Sequence, residues 1–241
     1  MKATPIEFRL RFVIICVIFA LGFWAPWDLK LHLDSVRTWQ AIAAWVYRRG
    51  WLSFIMATDA VLYLGLGLAI FSAWLRTWGS AYLGPSVVQD GAMHGDRIVA
   101  AGPYVYLRNP LYLGLLLHSM ALALLMPPSG AVFTVVLIAL FQLRLIGAEE
   151  AFLTVQLGAP YLAYKAAVPS LIPAVSPRVP ASAIKPVWPM AFFSEIYMWG
   201  VAVSFAVLGM RYNAMLILQG VLVSLGLSIV VRGLLPKKKG L

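Results

Sequence analysis

Six nearly unbroken apolar stretches, at about 12–27, 51–75, 111–126, 131–146, 190–210 and 214–231, decide what this chain can fold into. A helix needs about 20 apolar residues, with about 17 tolerated, to cross a hydrocarbon core roughly 30 Å thick. Each stretch reaches or approaches that length, and none shows the alternation of a half-buried strand. Composition agrees: 62% of the 241 residues are hydrophobic and 12% charged, against about 25% charged in soluble domains. So few polar side chains cannot clothe a soluble exterior, which excludes disorder and argues against a soluble enzyme. The single cysteine, Cys16, lies in an apolar run, so disulfide frameworks, CxxC redox pairs and thiolate zinc sites are set aside and no metal is expected. The net charge of +10 is no nucleic-acid footprint. Basic residues stand singly at segment ends, apart from Lys237, Lys238 and Lys239 at the tail.

The expected architecture is therefore all-α: a multi-pass integral membrane helical bundle of about six transmembrane helices, with short cytoplasmic helices completing an active site. Pro127, Pro128, Ser129 and Gly130 join the third and fourth stretches so tightly that they form a hairpin. Arg211, Tyr212 and Asn213 do the same for the fifth and sixth. The basic N-terminus before the first stretch resembles a secretory leader. Phe23, Trp24, Pro26 and Trp27 replace the small residues of a cleavage site, however, so a retained span is expected. Alternate loops hold 14 Lys and Arg on one side and 5 on the other, which puts both termini in the cytoplasm. Val36, Trp39, Ile42, Ala43, Val46 and Tyr47 recur at helical spacing in the first loop, as in an interfacial amphipathic helix, although an ordinary loop anchored by Trp also fits. The chain divides into 1–50 (first span and interfacial segment), 51–175 (a core with spans two to four and a cytoplasmic polar segment) and 176–241 (linker, hairpin and basic tail). Basic cytoplasmic loops fit a prokaryotic inner membrane.

Polar residues concentrate at two places on the cytoplasmic side. In the run from Gly102 to Gly114, Asn109 suits an N-cap and Pro110 the first helical position. A helix starting there presents free N–H groups and its positive dipole end beside Arg108, a ready carboxylate or phosphate site. A snorkelling arginine beside an ordinary helix start also fits. The second concentration is Glu149-Glu150, which the hairpin returns to the same membrane face. Adjacent carboxylates at the edge of hydrocarbon need solvation, pairing or a cation. Beyond them Gly158 and Pro160 break the helical pattern, and Tyr161 and Tyr164 stand three apart, able to present two rings on one side. Asp59 and His118 are intramembrane ionisable residues, either cavity groups or bonds to neighbouring helices. Gly65 and Gly67 suit close helix packing. Parts for serine hydrolysis, zinc proteolysis or ATP hydrolysis are missing.

Taken together, Gly102-Pro103-Tyr104, Arg108-Asn109-Pro110-x-Tyr112-x-Gly114, the apolar hairpin, Glu149-Glu150, Gly158-x-x-Tyr161-x-x-Tyr164 and Val168-Pro169 resemble the core of the integral-membrane methyltransferases. These are the isoprenylcysteine carboxyl methyltransferase and phospholipid N-methyltransferase group. The resemblance covers about Leu75 to Pro173, and it departs at Asn109, where many members carry His. It implies an S-adenosyl-L-methionine site with a lipophilic acceptor reaching it sideways from the lipid bilayer. It assigns Tyr104, Asn109, Pro110, Leu111, Tyr112, Gly114 and Glu149 to the cofactor, and Arg108 and Glu150 to the reaction centre. Arg108 would orient a carboxylate acceptor, or Glu150 help deprotonate an amine, with Tyr161 and Tyr164 covering the site. A nicotinamide-dependent reductase like the membrane sterol reductases, whose core has a related Arg, Pro and Tyr pattern, is one alternative. A small transporter using Asp59 and His118 is another.

Overall fold

The computed structural model describes residues 2–24, 36–83 and 98–234. Pro26, Trp27, Lys30, Arg97 and the Lys237–Lys239 tail, all used in the topology argument, lie outside the described residues. A reciprocal cap opens the chain: Thr4 Oγ1 accepts from the Glu7 N–H at 3.2 Å, and Glu7 returns a carboxylate to the Thr4 N–H at 2.6 Å. It starts α1 (Pro5–Arg9), followed by α2 (Arg11–Trp24), α3 (Thr38–Arg48) and α4 (Phe54–Leu83). A 3-10 turn at Gly102–Val105 precedes α5 (Pro110–Ala123), and then come α6 (Pro128–Leu157) and α7 (Ala159–Ala167). The chain ends with α8 (Trp188–Ser194), α9 (Ile196–Leu208) and α10 (Ala214–Leu234). Among the described residues there is no strand.

Among the described residues three helices are long and apolar enough to cross a membrane: α4, α6 and the Ala214–Val231 stretch of α10. A fourth appears if α8 and α9, bent by 68° at Glu195, count as one span. The expectation of about six spans is thus supported by length for only some of the segments, for local reasons. Helix α2 has 14 described residues. Helix α5 also has 14, because its end tightens into i→i+3 bonds from Leu124, Leu125 and Met126 before Pro127 turns the chain. Helix α6 is longer than expected. Its 30 residues rise about 45 Å, beyond the bilayer core, so Glu149 and Glu150 sit on the same helix rather than after it. Gly158, at φ 63°, ends it. Large apolar side chains such as Val17, Phe71, Val136, Leu143, Val223 and Val230 are exposed around the outside, the reverse of a soluble surface and suited to lipid.

Helix α4 is the hub, packed on α5, α9, α3 and α8. Small residues permit the approach: Ser72 Oγ donates to the Gly114 carbonyl at 2.7 Å, and a Cβ on Gly65 would lie 2.9 Å from Leu124 and Phe205. Gly67 does not serve packing as expected, since nothing lies within 4 Å of its Cβ position. Helices α2 and α6 cross at Gly22 and Gly130, where a Cβ on Gly130 would come 2.0 Å from the Gly22 carbonyl oxygen. The first-loop pattern forms α3, whose buried Trp39 and Ala43 pack on Ala57, Val61 and Leu62 of α4. Its Thr38 and Trp39 N–H groups bond the Met126 and Leu124 carbonyls. That closes the hairpin end of the bundle and leaves the opposite end for the polar residues.

Candidate active site

A scaffold of turns prepares the polar end. Gly102 has φ 57°, and a Cβ there would lie 2.3 Å from the Tyr82 ring, so only glycine fits. The segment after α7 runs back beside residues 100–109. The Arg108, Asn109, Ala174, Arg178 and Ser182 N–H groups donate to the Pro169, Ser170, Tyr106, Val105 and Ala100 carbonyls. Tyr164 donates its hydroxyl to the Tyr104 carbonyl at 2.8 Å. Burial, more than any neighbouring charge, pushes the Tyr104, Tyr161 and Tyr164 hydroxyls up, so they remain neutral.

This scaffold and the helices enclose a cavity of about 750 Å³, within the ~300–1,000 Å³ typical of small-molecule sites. All the residues singled out for site roles line it except Gly114. A Cβ on Gly114 would meet the Arg76 side chain at 2.4 Å, so Gly114 makes room for Arg76 beside the cavity. Asn109 holds the N-cap position of α5, but its side chain does not cap. Its amide donates to Ser170 Oγ at 3.0 Å and to Glu150 at 3.3 Å. The first N–H groups of α5, at Leu111 and Tyr112, have no partner within the helix. From the same turn Tyr112 donates its hydroxyl to Glu149 at 2.9 Å on the cavity wall.

Arg108 and Glu150 are engaged with one another. Arg108 Nε and Nη2 reach Glu150 Oε1 at 3.0 and 2.9 Å, and its Nη1 donates to the Lys165 carbonyl at 2.6 Å and to the Val168 carbonyl. Glu150 also takes Lys165 Nζ at 2.9 Å. A carboxylate holding two cations and an amide has little proton affinity to offer, and this guanidinium is committed to protein acceptors. The geometry makes the pair a buttress that pins residues 165–170 beneath the cavity.

Sequence reasoning gave Arg76, Lys165, Ser170 and Glu195 no site role. Arg76 lines the cavity and bonds Glu195 at 2.7 and 3.0 Å, while Ser80 donates to the same carboxylate at 2.8 Å. Glu195 stands where α8 bends into α9 and is 2% exposed. An acidic residue inside an apolar stretch was the available signal. His118 faces the cavity with Tyr197 Oη 3.1 Å from Nε2. Asp59 instead accepts from Tyr212 at 2.8 Å near the hairpin end, so the two do not share a path.

Residues 60–159 match the family model for phospholipid methyltransferase. No curated protein and no solved structure matches the chain. The matched stretch contains most of α4, all of α5 and α6, and the site residues from Tyr104 to Glu150; Tyr161, Tyr164 and Lys165 lie just past its end. The segment that builds most of the polar end of the cavity is thus similar to the phospholipid methyltransferase family, and that match supports a membrane methyltransferase.

Proposed function

We propose that this protein transfers a methyl group from S-adenosylmethionine to a lipophilic acceptor at the cytoplasmic boundary of a prokaryotic inner membrane, with six crossings and both termini on the site's side. The observation that carries the reading is a single cavity joining the N-terminus of α5 and the Tyr112–Glu149 pair to an apolar interior. The donor set fits the cofactor. The Leu111 and Tyr112 N–H groups suit an amino-acid carboxylate, Glu149 suits ribose hydroxyls, and the aromatic faces of Tyr104 and Tyr161 suit a cation.

When bound, S-adenosylmethionine supplies an electrophilic methyl group that an acceptor lone pair takes in line, leaving the S–CH₃ electrons on sulfur as a neutral thioether. No protein nucleophile is needed, so the chain contributes alignment and exclusion of water. Arg108 and Glu150 serve the reaction centre by fixing its floor, and Tyr161 and Tyr164 hold the covering segment on Tyr104.

Calorimetric titration of the detergent-solubilised protein with S-adenosylhomocysteine tests this. Saturable binding is expected, weakened by about tenfold or more in Glu149→Gln and measurably in Tyr112→Phe, in line with the loss of one charge-assisted hydrogen bond. A folded wild type that binds none would end the reading.

A further inference from the structure

Away from its charged end, the cavity wall brings two polar side chains together in apolar surroundings. His118 of α5 and Tyr197 of α9 both line it, with the phenol oxygen 3.1 Å from His118 Nε2. Along α5, His118 stands about 9 Å of helix rise beyond Tyr112 and its Glu149 partner. It is 1% exposed. The wall residues of α5 to either side are Leu115 and Leu122, Met198 follows Tyr197, and the Phe19 ring packs edge-on to the imidazole at 6.1 Å. The pair is held in register from below. Glu195, just before Tyr197, is clasped by Arg76, and Gly114, one turn before His118, packs on the same arginine.

The pair has one donor more than it can use. A neutral imidazole brings one N–H and a phenol one O–H. The hydrogen bond between them consumes one of these, whichever group donates. Among the described residues neither side chain makes another hydrogen bond. One donor therefore stays without a protein acceptor, and a protonated imidazole would leave two. The Phe19 ring is at most a weak acceptor. An unmet donor in an apolar wall is costly, and a ligand oxygen placed against it recovers that cost.

We propose that His118 and Tyr197 form a specificity-determining subsite that selects lipophilic ligands carrying a hydrogen-bond-accepting oxygen, carbonyl or ether, within their apolar part. That such a ligand is the methyl acceptor rests on the methyl-transfer reading. The preference for the oxygen is measurable without turnover.

Cys16, the chain's single cysteine, lines the cavity and is exposed, so slowing of its alkylation by N-ethylmaleimide reports occupancy. The protein in neutral detergent, saturated with S-adenosylhomocysteine, is titrated with dihexyl ketone and with its methylidene isostere, in which C=CH₂ replaces C=O. The ketone is expected to protect at concentrations about fivefold or more below those of the isostere, the worth of one hydrogen bond. In isotope-edited infrared spectra its bound carbonyl stretch should lie at lower wavenumber than in alkane. His118→Leu/Tyr197→Phe removes both partners together and strands neither. It should abolish the preference and return the stretch to the alkane position, while isostere protection and S-adenosylhomocysteine affinity stay within about twofold. Each single change leaves one donor, so at least one of them should keep the preference. Equal protection by the two probes in the wild type, as when water alone meets the donor, overturns the proposal. So does an unshifted carbonyl stretch, a preference that survives the double substitution, or one that both single changes abolish. Loss of S-adenosylhomocysteine binding in the double variant overturns it too, because the pair would then serve the cofactor. Failure of the wild type to bind S-adenosylhomocysteine while the ketone preference stands would instead remove the methyl-transfer reading and leave an oxygen-selective lipophile site.

Discussion

Replacing Arg108 by Met separates a chemical role from a structural one. The guanidinium satisfies Glu150 and the carbonyls of Lys165 and Val168, all at a site where its side chain is only 11% exposed. Its removal leaves Glu150 with Lys165 and Asn109 and leaves two carbonyls without that donor. Breaking one side of a buried pair costs about 3–5 kcal/mol, and each unpaired buried carbonyl about 1–3 kcal/mol. Since Lys165 remains, the lower end, about 3 kcal/mol, is the reasonable figure. That loss falls on the docking of residues 168–182 against 100–109, whose amides bond across the junction. Opening there should become roughly 100-fold more frequent, because each 1.4 kcal/mol is tenfold. Hydrogen exchange at the Asn109, Ala174, Arg178 and Ser182 amides is the assay. Glu150→Gln, which keeps an acceptor for Arg108, should accelerate the same amides less. If Arg108→Met abolishes methyl transfer while those amides keep wild-type protection, the buttress argument is refuted and Arg108 acts directly on the acceptor.

Arg76→Met should destabilise the folded protein by about 3–5 kcal/mol by stranding the buried Glu195 carboxylate. Arg76→Met/Glu195→Met should cost less than either single change, and a double-mutant cycle in detergent would expose an additive result that contradicts this. Gly130→Ala should lower the thermal midpoint and speed Cys16 alkylation, because its Cβ would strike the Gly22 carbonyl at 2.0 Å, with overpacking on the order of 1–3 kcal/mol. Gly67→Ala, with nothing within 4 Å, should do neither. The backbone N–H of Thr4 first, then the Arg144 guanidinium, hold Glu7 below its ordinary value of 4.5. The depressed value makes its contribution full above pH 4.5 and lost as pH falls through the lower folded value. Protection of α1 from exchange should therefore drop in that acid range and stay flat in Glu7→Gln.

The helical class, the tight hairpin, α3 and the cavity residues were legible because each leaves a local mark: an apolar run, a Pro-Pro turn, a helical spacing, an Asn-Pro start. Partnership was not legible. Arg108 and Glu150 were assigned to the reaction centre by the resemblance, and nothing in the sequence says that they pair or that Lys165 and the Lys165 and Val168 carbonyls fold back onto them. Gly114 was assigned to the cofactor by the resemblance, and a glycine gives no sign of which neighbour needs its space; here the neighbour is Arg76, one helix away. Glu195 escaped notice inside an apolar stretch, where its bend and its partner are both tertiary. Asn109 was recognised by its position, but its side chain serves Ser170 and Glu150, which arrive from later segments.

The described ion pairs gather at one end of the bundle, and three of them tie the matched stretch to something outside it. Glu150 takes Lys165 of α7, Arg76 takes Glu195 at the α8–α9 bend, and Arg144 takes Glu7 of α1. Elsewhere the same helices are fastened by close contacts such as Gly22 with Gly130 and Ser72 with Gly114. The division follows from solvation. A charge pair deep in hydrocarbon loses more hydration than its attraction returns, whereas at the boundary water and backbone carbonyls complete the shell. Charged clasps are therefore affordable only at the boundary, the end of the bundle where the candidate site lies. The elements they fasten are α7, the α8–α9 bend and α1. Loosening a clasp should therefore free the element it holds, read as faster hydrogen exchange in that element, before it disturbs the packed interior of the bundle.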